Sequence, residues 1–314
     1  MVSVFLILVA VQGLLIQSFL RTWGFLELRR LIFLGLIGQD YLKKRHNEVI
    51  KFFLIQAFRG IIIFVFFTLR IRLYPQRRFL LSIILLFKIG LVPFHTWFLI
   101  IRTSFSWENL YLFLTSQKAI PLHLLSNYTN FSLTLVALAR WIISRIRRLS
   151  RKRIKKLIIY SSLFIGGILL FLLTYQFDWI KFLVVYSLIT LPIFTYNKNL
   201  SLKKNCSIEE EASRRGGVWV WLLFLNLGGI PPLPGFFLKL NFITSINFAF
   251  LELILFLTTS IVLLYIYLRL GFRRLIKRDY LILRNKSTTR HHLYVFLQFI
   301  LLIIFLILWM GVTT

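Results

Sequence analysis

Three lysines and one glutamate carry charge where the surrounding sequence is apolar. Lys88, Lys118 and Lys239 each sit well inside a hydrophobic block, and each lies within about eight residues of a helix breaker. Gly90 and Pro93 follow Lys88, Pro121 follows Lys118, and the run from Gly228 to Gly235, with Gly229, Pro231 and Pro232 inside it, precedes Lys239. A charge at the centre of a bilayer costs roughly 2.5–3.5 kcal/mol on insertion scales, so each amine calls for a partner or a water-lined cavity. Broken helices supply such cavities, because opened backbone admits water, and ion pathways are built on them. The chemistry open to such lysines is proton exchange. Glu27, within Trp23-Gly24-Phe25-Leu26-Glu27-Leu28, is the acid that could neutralise one of the amines and, by approaching or leaving it, alter how tightly that amine holds its proton. Any one of the lysines alone could equally be a snorkelling or lattice-stabilising cation; three in the same setting favour the pathway.

The elements that must position these residues are membrane helices. Of 314 residues, 58% are hydrophobic, and the mean hydropathy is +0.80, which excludes a soluble fold with a charged surface. Apolar blocks bounded by charge or by Gly and Pro predict about eleven transmembrane helices, near 2–20, 23–38, 49–69, 79–101, 108–125, 129–144, 156–173, 179–196, 217–247, 251–270 and 293–313. The apolar start, with neither a basic n-region nor a small-residue cleavage site, reads as the first of these helices rather than a signal peptide. The ninth block is too long for a simple span and cannot stay straight through its prolines, so a discontinuous helix is expected there. The segment Ile89 to Phe94 weakly echoes Gly228 to Pro232 five helices later, which suggests inverted repeats. We therefore expect an all-α integral membrane protein with antiporter-like inverted five-helix repeats, one bundle over 1–125, a second over 126–270, and a basic loop with a final helix over 271–314.

The formal charge of +29 would suit a nucleic-acid binder if it lay on one soluble face. Its basic runs, such as Arg147 to Arg153, fall instead between apolar blocks, where Lys and Arg record orientation. Loops on the side of the N-terminus hold 23 of them and those on the other side five. The N-terminus is thus expected in the cytoplasm or matrix and the C-terminus opposite. Some basic residues within the spans, including Lys51, Lys156, Lys181 and Arg269, lie near enough to helix ends to snorkel. A single cysteine, Cys206, permits no internal disulfide or cysteine-based metal site, and the five histidines have no metal-ligand spacing.

At these residues the chain resembles the NADH dehydrogenase subunit 2 family, antiporter-like membrane subunits of mitochondrial respiratory complex I. The likeness runs from Trp23 to Arg269. It is carried by Trp23 to Leu28, Ile50 to Ala57, Lys88-Ile89-Gly90-Leu91-Val92-Pro93-Phe94-His95-Thr96-Trp97, Gln117 to Pro121, Lys156 to Ser162, Leu227 to Lys239 and Tyr267 to Leu270. The resemblance implies that Glu27 and Lys88 form a charge pair that modulates the channel, that Lys118 is the central proton-carrying lysine, and that Lys239 is the terminal one. Lys51, His95, Lys156, Pro93, Pro121, Gly228, Gly229, Pro231 and Pro232 would support them. It further implies a multi-pass protein of the mitochondrial inner membrane, N-terminus in the matrix and C-terminus in the intermembrane space, in its family's shortened form without the first three helices. No redox cofactor is expected in this chain; FMN, iron–sulfur clusters and ubiquinone would belong to other subunits. Partners would be other membrane-arm subunits, neighbouring antiporter-like ones among them, and lipids such as cardiolipin, with no nucleic acid.

Three departures stand against the pattern. Phe98-Leu99-Ile100-Ile101 replaces the usual proline and polar residue after Trp97, Leu238 replaces a proline before Lys239, and Arg29 and Arg30 follow Glu27 in the same helix. At i+3, Arg30 is expected to compete with Lys88 for the carboxylate. These departures leave room for a structural spacer that has lost pumping. A stand-alone cation/proton antiporter subunit is a third reading, disfavoured by the lack of further ion-binding carboxylates.

Overall fold

The computed structural model describes residues 2–16, 18–41, 46–68, 74–90, 105–127, 132–149, 154–203, 217–231, 233–246 and 250–279. Twelve helices account for nearly all of them: α1 (Val2–Leu15), α2 (Phe19–Tyr41), α3 (His46–Thr68), α4 (Tyr74–Ile89), α5 (Trp107–Leu114), α6 (Ser116–Ser126), α7 (Ser132–Leu149), α8 (Ile154–Thr174), α9 (Trp179–Lys203), α10 (Gly217–Gly228), α11 (Pro234–Ser245) and α12 (Phe250–Asp279). The protein is all-α, as expected. The final expected span, 293–313, and the second half of 79–101 lie outside the described residues.

Polarity is distributed as lipid demands rather than as water would. On α3, Phe53, Leu54, Phe58, Ile61 and Val65 face outward while Gln56 and Arg59 are buried. On α12, Phe250, Leu251, Ile254, Ile261 and Tyr265 are exposed around a buried Thr259. A surface of large apolar side chains over a partly polar interior suits a hydrocarbon solvent. Among the described residues, Ile154–Thr174, Trp179–Lys198 and Phe250–Arg269 are long and apolar enough to cross a membrane without a break.

Two breaks matter for the site. The expected span 217–247 is divided into α10 and α11, as its glycines and prolines require. The expected span 108–125, read from the sequence as continuous, is also divided, at Thr115 (φ −103°, ψ −76°) between α5 and α6. Thr115 and Ser116 turn their hydroxyls back on the carbonyls of Tyr111 and Leu112, at 2.9 and 2.7 Å. Such bonds loosen a helix from within, and Pro121 withdraws another donor a turn and a half later.

The chain forms two compact units, one of residues 1–144 and 151–180, the other of 145–150 and 181–314. In the first, the eleven-residue α6 is the hub, touching α1, α2, α4, α5 and α8. Helix α8 is buried along almost its whole length, and a cluster of Phe33, Phe52, Phe105 and Phe113, with ring centroids 5.4 to 6.0 Å apart, packs beside the hub. In the second, α10 packs on α12 and α11. Phe224 meets Tyr267 at 5.3 Å and Phe242 meets Phe256 at 5.0 Å.

Candidate functional site

Glu27 lies on α2, and its carboxylate is shared. Oε1 accepts from the ammonium of Lys88 on α4 at 2.7 Å, and Oε2 pairs with the Arg30 guanidinium at 2.7 Å. The expected competition between Lys88 and Arg30 is therefore resolved by geometry, one oxygen to each cation. Gly60 on α3 makes room for this arrangement, since a Cβ there would collide with the Glu27 carboxylate. The Trp23 indole donates to the Gly60 carbonyl at 3.1 Å and ties α2 to α3 at the same level. Lys88 stands in the last turn of α4, whose exposed carbonyls favour a cation. The helix stops at Gly90, which has φ +79° and whose N–H reaches the carbonyls of Leu86 and Phe87. Pro93 and His95 lie outside the described residues.

Lys118 is 2% exposed and occupies the first turn of α6. Its Nζ donates across to the carbonyl of Ser162 on α8, at 3.1 Å. Ser161 and Ser162 satisfy their hydroxyls within α8, on Ile158 and Ile159. Between Lys88 and Lys118 lies a cavity of about 30 Å³, large enough for a water. Arg29, Arg30, Gln56 and Gln117 join the two lysines in its wall. The geometry thus brings Glu27, Lys88 and Lys118 to one place. Lys51 is exposed and Lys156 half-buried, both away from that cavity.

Lys239, on α11 in the second unit, is buried and bends back across the break to donate to the carbonyl of Gly228, the last residue of α10. A cation at a helix C-terminus meets carbonyls without helical partners and the negative end of the dipole. Gly229 follows with φ +78°, its N–H on the carbonyls of Leu225 and Asn226. The two glycines that end α4 and α10 therefore share one conformation and one bonding pattern. A Cβ on Gly229 would also stand 3.0 Å from the Lys239 Nζ. Pro231 is exposed in the turn, and Pro232 lies outside the described residues.

Sequence reasoning missed three contributors. Asn226 is buried, and its Oδ1 accepts the Gly235 N–H at 2.8 Å, clamping the start of α11 to the end of α10. Gly235 has to be glycine there, because a Cβ would run into the Asn226 carbonyl. Gly60 is the third. Asn226 carried a usable signal, a lone amide in the apolar stretch before a double glycine; Gly60 carried none, since its constraint is a contact across 33 residues of chain.

No family model matches the chain. Among curated relatives, NADH-ubiquinone oxidoreductase chain 2 of Rhipicephalus sanguineus is 25% identical over 261 residues, 81% of this chain and 82% of the relative. That of Didelphis virginiana is 28% identical over 84% of this chain and 82% of its own length. Among solved structures, a chain of the archaeal membrane-bound sulfane sulfur reductase complex has the same fold, with a TM-score of 0.74 at 15% identity over 98% of this chain and 73% of that one. A chain of the Mrp complex of Dietzia sp. gives 0.64 at 14% identity over 90% of this chain, which spans 61% of it. The NADH-ubiquinone oxidoreductase chain 2 of Anopheles gambiae is 30% identical, over 82% of this chain and 80% of that relative, and on that match the chain belongs to the NADH-ubiquinone oxidoreductase chain 2 family.

Proposed function

We propose that this chain translocates protons in the membrane arm of an NADH:ubiquinone oxidoreductase, using Glu27, Lys88, Lys118 and Lys239 as proton-carrying or charge-switching groups. The observation that carries the reading is the shared carboxylate of Glu27, with a water-sized cavity between its partner Lys88 and the buried Lys118. Arginine keeps its charge in proteins, so Arg30 is a standing partner that holds Glu27 when Lys88 moves away or loses its proton. Lys88 is then the variable member of the pair. A charge change elsewhere in the complex that draws Glu27 toward Arg30 weakens the hold on the Lys88 proton and frees it to pass across the cavity toward Lys118. Lys239, which donates to the helix-end carbonyl of Gly228, suits a terminal acceptor that releases its proton when the break between α10 and α11 opens to water.

In this reading the chain performs no redox chemistry, and FMN, iron–sulfur clusters and ubiquinone reside in other subunits. It sits in the mitochondrial inner membrane with its N-terminus in the matrix, beside other antiporter-like membrane-arm subunits and lipids such as cardiolipin. Replacing Lys118 by Met tests it. The complex should still assemble and oxidise NADH, with fewer protons moved per electron pair; an unchanged proton stoichiometry overturns the reading. One observation favours the spacer alternative, namely that Arg30 already occupies half of the carboxylate. If Arg30 locks the pair, Arg30→Leu restores or raises pumping; if it is the standing partner described above, Arg30→Leu lowers it.

A further inference from the structure

The cavity between α2, α3, α4 and α6 is lined by donors without a matching acceptor. Arg29 is 1% exposed, and its Nε, Nη1 and Nη2 have no hydrogen-bond partner among the described residues. The Nε of Arg30 and the Nε2 of Gln117 are likewise buried and unmatched. All three residues line the one cavity, together with the cationic Lys88 and Lys118. Among the described lining residues there is no carboxylate, and Glu27 beside them is already divided between Lys88 and Arg30. Buried unmatched donors of this kind mark the place of a missing water or ion.

Charge decides between those two. A water would accept hydrogen bonds from Arg29 and Gln117 but would leave the Arg29 guanidinium, which cannot shed its proton, as an unpaired charge in a low dielectric beside other cations. An uncompensated buried charge is among the most costly features a fold can hold. Size limits the anion: about 30 Å³ admits one or two water-sized occupants of roughly 10–15 Å³ each on the same measure, which excludes phosphate esters and lipid headgroups.

We propose that this cavity binds one small monovalent anion of the halide class, held by the Arg29 guanidinium and the Gln117 amide. The anion neutralises Arg29 and lowers the repulsion between it, Lys88 and Lys118. The inference does not depend on the proton pathway, since a spacer with the same interior would need the same counter-ion.

Density maps of the intact complex carrying this chain, prepared in iodide and in gluconate at equal ionic strength, test it directly. A strong peak beside Arg29 and Gln117 in iodide, weakened to water level in gluconate, is the expected result. Equal density in both, or density continuous with a side chain of a neighbouring subunit, overturns the proposal, the latter by supplying a carboxylate in the anion's place. Equilibrium binding of radiolabelled chloride to the purified complex is the second measurement. Arg29→Gln should weaken it roughly tenfold or more, as expected for a lost hydrogen bond to a charged group, and Gln117→Leu roughly three- to tenfold. Should Arg29→Gln fail to assemble, Gln117→Leu and the halide maps still decide. Unchanged affinity in the variants, or binding only at concentrations far above those of a cell, overturns it.

Discussion

Gly60 governs whether Glu27 can reach Lys88. Its missing side chain is the space the carboxylate occupies, so Gly60→Ala must push Glu27 off its seat even though the helix itself prefers alanine. We expect Gly60→Ala to assemble and to lose much of its proton translocation, because the bond at stake is one between charged groups, worth about 1.5–3 kcal/mol. Adding Glu27→Asp shortens the side chain by one methylene, and the double variant should recover part of the loss. Proton-to-electron ratios in reconstituted vesicles, measured for the single and double variants, check both statements; a Gly60→Ala complex that pumps normally refutes the role of the glycine. The lysines and Glu27 were legible in the sequence because a charge inside an apolar block stands out against its neighbours. Gly60 was not, since its importance exists only once α2 and α3 are packed. Arg30 falls between the two: its nearness to Glu27 could be read from i+3 spacing, but the sharing of one carboxylate by two cations depends on where α4 ends.

At the level of elements, the breaks are what bring buried amines to acceptors. The break between α10 and α11 was predictable from its prolines and glycines, whose backbone limits are local. The break at Thr115 was not, because serine and threonine interrupt a helix only when their hydroxyls turn inward, as these do. Its consequence is large: it sets Lys118 in a first turn, with its ammonium on the Ser162 carbonyl of α8. At the other break, Asn226 is the clamp. Asn226→Ala leaves the buried Gly235 N–H without an acceptor, a loss of about 1–3 kcal/mol, and should lower the thermal stability of the assembled complex, read as an earlier loss of NADH-driven pumping on heating. Gly229→Ala should be at least as harmful, because a left-handed residue with a Cβ costs roughly 1–2 kcal/mol and the new methyl presses on Lys239. If that variant matches the parent in heat tolerance and in pumping, the positive-φ end of α10 does not hold Lys239.

For the whole molecule, the fold class followed from hydropathy alone, whereas the direction in which it sits is a matter of charge. A loop rich in Lys and Arg resists transfer across the membrane, and the excess on one side, 23 against five, is far beyond an accident of composition. In the proposed orientation, the same excess would draw anionic headgroups to the matrix side. The proposed orientation and lipid preference would therefore share one cause, and one residue reads out the first. Cys206, the chain's one cysteine, falls in the sequence between α9 and α10, in a segment that the proposed orientation assigns to the matrix. A thiol reagent that cannot cross membranes should leave it untouched in intact mitochondria and label it in inverted inner-membrane vesicles. Labelling in intact mitochondria would turn the chain over, placing the basic loops in the intermembrane space and reversing the sense in which Glu27, Lys88 and Lys118 face the two compartments.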